Sequence, residues 1–166
     1  MIYRFALFIL YFFLAVITQG LFPINTNIIP DFILLGIVAI ACIGREKEGF
    51  IAAVIGGILQ DFTSASSGGF FVLIKCTLAL LISLIKFRIL PDLIIIPFIL
   101  GFLSTLLQEW GFYGITNLTH WKILHYNFKE HILPSAIINA ALSPLIFLFF
   151  KKVVYNTKKS VSIRRV

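Results

Sequence analysis

The 166-residue chain is 60% apolar and only 13% charged, with a mean hydropathy of +1.02; a soluble domain, roughly 45 to 50% apolar and about a quarter charged, has no core large enough to hide that surplus. Soluble enzymes, disordered proteins and disulfide scaffolds are excluded, the last because Cys42 and Cys76 are only two and both lie in apolar runs. The net charge of +7 would suggest nucleic acid in a soluble protein, but the cations sit between apolar runs and at the tail, where they set membrane topology, so no nucleic-acid partner is expected.

A helix crossing the ~30 Å hydrocarbon layer needs about 20 residues, with about 17 as the lower limit. The first candidate, residues 5–21, follows Arg4; the stretch after Val16, Ile17 to Pro23, has no small-x-small cleavage site, so the segment reads as an uncleaved first helix rather than a signal peptide. Gly20, Pro23, Asn25, Asn27 and Pro30 punctuate the loop that follows. Residues 28–43 and 49–62 are short candidates separated by the charged turn Gly44-Arg45-Glu46-Lys47-Glu48. A re-entrant hairpin turning there at mid-depth would bury four adjacent charges, each costing on the order of 2.5 to 3.5 kcal/mol, so both segments are read as spans. Residues 69–85 and 93–107 reach crossing length with interfacial flanks, and residues 132–150 do so alone.

Six spans with both termini inside place Arg4, Arg45, Lys47, Lys86, Arg88, Lys151, Lys152, Lys158, Lys159, Arg164 and Arg165 on the cytoplasmic side, eleven of the fourteen cations, against Lys122 and Lys129 outside. The expectation is an all-α integral membrane protein with N-in/C-in topology: a single six-helix membrane domain over residues 1–150 and a cytoplasmic basic tail over 151–166. Residues 108–130, with Trp110, Phe112, Tyr113, Trp121, Tyr126 and Phe128, read as an amphipathic loop capping the outer surface.

Ionisable residues within spans are functional candidates by default: Asp31, Asp61, Lys75 and Glu109. Asp31 and Asp61 are each fourteen residues from the cations of the shared turn, which puts them at one depth near the outer side. A Lys75–Asp61 ion pair is geometrically possible, with interfacial snorkelling as the bland alternative. Pro30-Asp31 and Pro91-Asp92 both suit a helix start, where Pro loses no hydrogen bond and an acid meets the positive end of the dipole, so capping competes with a partner-facing role for Asp31. Gly49, Ala52, Ala53, Gly56 and Gly57 form overlapping small-xxx-small pairs, which predicts a third helix at the bundle centre. Ser135, Asn139 and Ser143, flanked by Ala136 and Ala140, make a polar stripe on the sixth helix that should face protein.

No catalytic constellation emerges. His120, His125 and His131 lack metal-ligand spacing, and Ser64, Ser66 and Ser67 have no identifiable base, so no enzyme activity, metal or cofactor is expected.

At Pro30-Asp31-Phe-Ile-Leu-Leu, Arg45 through Gly49-Phe50, and Gly56-Gly57-Ile-Leu-Gln60-Asp61 followed by Ser64 and Gly68-Gly69, the chain resembles the rod-shape-determining protein MreD family. The matching positions are Pro30, Asp31, Gly56, Gly57 and Asp61; Ile29 stands where the family often has Arg or Lys. The resemblance implies a multi-pass scaffold of the bacterial cytoplasmic (inner) membrane that binds MreC and acts in cell-wall elongation. RodA, its penicillin-binding transpeptidase partner and MreB would be the wider complex, with peptidoglycan synthesis as its output. It further implies an architecture similar to the S components of energy-coupling-factor (ECF) vitamin transporters. An S-component-like uptake subunit is the alternative function, but the first helix carries only Ala6 and Ala15, nine apart, where a coupling motif would need Ala-x-x-x-Ala. A lipid-processing enzyme would need paired acids plus His at one interface, of which Asp31 and Asp61 supply half.

Overall fold

A computed structural model describes residues 2–21, 30–64, 69–86, 95–118 and 132–163. Among these residues every element is helical: α1 (Ile2–Leu21), α2 (Phe32–Ile43), α3 (Glu46–Thr63), α4 (Phe70–Lys86), α5 (Ile95–Leu118) and α6 (Leu133–Ile163). An apolar chain whose backbone polar groups must be satisfied within each segment has helix as its natural state. Ile95–Gly114 of α5 and Leu133–Val153 of α6 are long and apolar enough to cross a membrane; Phe5–Leu21, Phe32–Ile43 and Phe70–Ile85 are shorter apolar helices.

Consecutive helices run antiparallel. The last turn of α1 (Gln19), the start of α2 (Asp31), the last turn of α3 (Gln60), the first half of α4 (Lys75), the second half of α5 (Gln108) and the first half of α6 (Asn139) are linked by hydrogen bonds at one end of the bundle. The charged turn at Arg45 and Glu48 sits at the other end of α2 and α3, where Glu48 accepts the Arg45 N–H at 3.3 Å and the Arg45 carbonyl accepts from Gly49, opening α3.

The bundle centre is α2, not the small-residue helix α3. Every residue of α2 from Ile33 to Cys42 is buried, and α2 packs against all five other helices; a helix apolar all round is stable only when enclosed in this way. α3 keeps Phe50, Ile51, Ile58 and Phe62 exposed and uses its small residues on two adjacent faces. A Cβ at Gly49 would meet the Ala41 Cα of α2 at 2.9 Å, one at Gly56 would meet Ile33 Cγ2 at 2.8 Å, and one at Gly57 would meet the Val72 Cα of α4 at 2.5 Å. Ala53, between Gly49 and Gly57, is fully buried. The small-residue pairs therefore seat α3 against both α2 and α4.

The predicted loop over 108–130 begins later than expected. α5 runs on to Leu118, so Gln108 lies inside the bundle while Trp110 and Tyr113 are exposed on the same helix; Trp121, Tyr126 and Phe128 lie outside the described residues, as do His120, His125 and His131. α6 likewise continues through position 150 to Ile163. Its Asn139 and Ser143 are buried with Ala136 and Ala140, and Ser143 Oγ donates to the Pro97 carbonyl of α5 at 2.7 Å; the polar stripe faces protein.

Away from the polar end, towards the other end of the bundle, Phe8 and Phe12 of α1, Leu78 and Ile82 of α4, and Phe147 and Phe150 of α6 form the apolar core with α2. The Tyr11 ring lies 4.8 Å from that of Phe150 and its hydroxyl donates to the Phe32 carbonyl at 2.8 Å; the same ring fills the space beside Gly36 where a side chain would otherwise stand.

Overpacking a tight helix crossing costs about 1 to 3 kcal/mol. Gly57→Ala is expected to lower the detergent-solubilised protein's unfolding stability by that amount, whereas Gly20→Ala, with nothing within 4 Å of its Cβ, should leave it unchanged or raise it; matched thermal unfolding curves provide the check.

Candidate functional site

The sequence forces a carboxylate into an apolar bundle, and the fold is arranged around it. Asp31 is the N-cap of α2: its side chain accepts from Leu34 N at 2.8 Å, and its carbonyl accepts from Leu35 N at 3.0 Å, satisfying donors that the helix start leaves open. Capping uses only part of its capacity. Oδ1 also accepts from Gln19 Nε2 at 3.1 Å, while Oδ2 accepts from Gln60 Nε2 at 3.3 Å, Gln108 Nε2 at 2.8 Å and Lys75 Nζ at 3.3 Å.

Lys75 is wholly enclosed, with a relative exposure of 0%, and donates as well to Gln108 Oε1 at 3.0 Å. Gln108 thus bridges the pair, its amide oxygen on the ammonium and its amide nitrogen on the carboxylate. Removing two such ions from water costs several kcal/mol each, repaid only when the remaining lone pairs and protons also find partners. The amides of Gln19, Gln60 and Gln108 supply those partners without adding charge.

The backbone continues the network. Asp31 N–H donates to Asn139 Oδ1 at 3.0 Å, Asn139 Nδ2 donates to Thr105 Oγ1 at 3.1 Å, and Thr105 Oγ1 donates to the Gly101 carbonyl at 2.8 Å. Gln19 Nε2 reaches the Pro30 carbonyl at 3.4 Å. All six helices therefore meet at one aspartate and its neighbours. Gln60 Oε1 is buried without a hydrogen-bond partner among the described residues.

Lys75 makes its ion pair with Asp31, which corrects the expected Lys75–Asp61 pairing. Asp61 lies towards the edge of α3, where its Oδ1 accepts from Phe71 N at 3.0 Å and its Oδ2 from Val72 N at 3.2 Å. Both carboxylate oxygens are thus directed at the first turn of α4, an N-terminus that attracts an anion. Lys75 enters from the next turn and points inward instead of snorkelling. The two aspartates share an end of the bundle but differ in task, Asp31 at the centre and Asp61 as an inter-helix cap.

The motif positions then divide by helical spacing. Gly56 and Gln60, four apart, face α2; Gly57 and Asp61, also four apart, face α4. Gly69, with φ +92°, takes a backbone conformation suited to glycine just before α4, and its carbonyl accepts from Leu73 N at 3.2 Å. Glu109 follows Gln108 on α5 and is half-buried. Gln19, Gln60, Thr105 and Gln108 were not candidates by sequence, since neutral amides and hydroxyls within apolar runs raise no charge alarm; the signal available was their recurrence at one end of successive helices.

No three His, Cys, Asp or Glu side chains among the described residues are grouped to hold a metal ion. The arrangement buries its charges and engages them with each other, so its chemistry is that of a crosslink between helices. A family model described as rod shape-determining protein MreD matches residues 1–153. No curated protein and no solved structure gives a significant match.

Breaking a buried pair strands the surviving charge, at about 3 to 5 kcal/mol. Lys75→Met alone is expected to destabilise the bundle on that scale. Combining it with Asp31→Asn, which keeps a capping oxygen for Leu34 N, should recover most of the loss. A double-mutant cycle by thermal unfolding in detergent measures the coupling; additive losses would contradict the hub.

Proposed function

This chain belongs to the MreD family of rod shape-determining proteins, and we propose that it acts as a non-enzymatic membrane scaffold of the bacterial cell-elongation complex. Rod-shape determination and a place in the membrane come with the family. The finer reading is that all six helices cross the cytoplasmic membrane with both termini inside, residues 1–150 forming the membrane domain and 151–166 a cytoplasmic basic extension. MreC is the direct partner in this reading. RodA, its penicillin-binding transpeptidase and MreB are engaged directly or through MreC, and peptidoglycan synthesis is influenced rather than catalysed.

The observation that carries the proposal is an inverted distribution of polarity. Asp31, Lys75, Gln108, Asn139, Thr105 and Ser104 are buried, whereas Ile9, Phe13, Leu73, Leu80, Leu84, Phe98, Leu103, Leu145 and Phe149 are exposed. Contiguous apolar exteriors of this kind mark a lipid or protein contact, and a polar hub engaged with itself favours a scaffold over a site that turns over substrate. The antiparallel order of the helices supports the six-span path, because it returns Arg45, Lys47 and the start of α1 to the same end as Lys151 and Lys152.

Site-directed photocrosslinking tests the partner. Probes placed singly at exposed positions on α1, α4 and α6 should yield an MreC-sized adduct from one contiguous face, and adducts from no face would overturn the scaffold reading. Cysteine introduced at Lys47 should react with a membrane-impermeant maleimide only after the cytoplasmic side is opened; labelling in intact cells would overturn the topology.

A further inference from the structure

α6 is 31 residues long, about 46 Å at 1.5 Å per residue, and therefore outruns a ~30 Å hydrocarbon layer by several turns. Its apolar stretch, Leu133–Val153, ends where its lysines begin. On the side of this stretch turned away from the bundle, Ile137, Ala141, Leu145 and Leu148 are exposed, and Lys152 is exposed next in line. These positions are four, four, three and four residues apart, the intervals that keep a helical stripe on one side. The helix continues to Ile163, and position 159 falls seven residues beyond Lys152, two turns along the same stripe. Lys151 is turned towards the neighbouring Phe147 ring, its Nζ 6.0 Å from the centroid.

One helix side therefore changes from apolar to cationic at the point where the apolar stretch ends. We propose that this side of α6 is a binding site for an anionic phospholipid. The acyl chains lie along Ile137, Ala141, Leu145 and Leu148, and the headgroup phosphate meets Lys152; Lys158 and Lys159 follow in the sequence and add positive charge beyond it. A lipid satisfies both halves of the stripe at once; a soluble acidic protein would satisfy only the lysines. The proposal rests on α6 crossing the membrane, and the test separates the two.

Full-length protein with Cys42 and Cys76 replaced by Ala carries a bimane fluorophore at Leu145→Cys, or at Leu80→Cys on α4 as a control. It is reconstituted in equimolar phosphatidylcholine and phosphatidylglycerol vesicles with bromine on one lipid or the other. Each lysine in contact with an anionic headgroup favours it by about fivefold. Brominated phosphatidylglycerol should therefore quench position 145 at least severalfold more strongly than brominated phosphatidylcholine, while position 80 shows no preference. The preference should vanish in Lys152→Gln/Lys158→Gln/Lys159→Gln, persist in the corresponding triple Arg variant, and weaken in high salt. Equal quenching by the two lipids at position 145, or a preference unchanged in the Gln variant, would overturn the site and leave the lysines to a protein partner. Absence of quenching by either lipid at both positions would overturn the membrane-crossing reading itself.

Discussion

A carboxylate enclosed by apolar helices has to be matched by donors, and this fold is organised by that demand on Asp31. Five groups donate to its two side-chain oxygens: one backbone amide, three glutamine or lysine side chains on α3, α4 and α5, and Gln19 on α1. Its own amide reaches α6 through Asn139. Because a half-satisfied buried network is worse than an apolar core, each helix is held in rotation and depth by the requirement that its donor arrive. Dispersion packing alone would leave several nearly equivalent registers; the aspartate selects one.

Glycine and proline serve the same constraint from the backbone side. The close seating of α3 at Gly49 and Gly56 against α2 brings Gln60 within reach of Asp31, and its seating at Gly57 against α4 brings Asp61 onto the amides of Phe71 and Val72. A larger residue at either face would lift the helix away and lengthen these hydrogen bonds. Pro30, directly before the N-cap, brings no N–H into a crowded site and presents its carbonyl to Gln19.

Much of this was legible in the residues and some of it was not. Apolar runs and turn residues located the six helices, with boundary shifts where α5 and α6 run on past the expected ends. Helical spacing correctly assigned the polar stripe on α6 to a protein-facing side, and Pro30-Asp31 correctly signalled a helix start; Pro91-Asp92 lies outside the described residues. The centre of the bundle was misplaced because small residues report close approach, not enclosure. Enclosure was carried instead by the uniform apolarity of 32–43, where no polar face remains to be turned outward. The partner of Lys75 was misread because sequence distance along α3 and α4 favoured Asp61, while the pairing depends on α2 passing through the middle, a tertiary fact. Gln108 was assigned to a loop on aromatic content, since one amide among aromatics carries no periodic signal of its own.

The enclosure of α2 has a consequence for the way the molecule meets its bilayer. At 12 residues this helix is about 18 Å long, far short of the hydrocarbon thickness, and a lipid-facing segment of that length would force thinning of the membrane. Hydrophobic mismatch acts only on surfaces that lipid touches, and α2 is buried from Ile33 to Cys42, with only its end residues Phe32 and Ile43 partly exposed. On the proposed six-span path, adjustment to bilayers of different thickness falls to the tilt of the peripheral helices, while the Asp31 end of α2 stays at a fixed height among them.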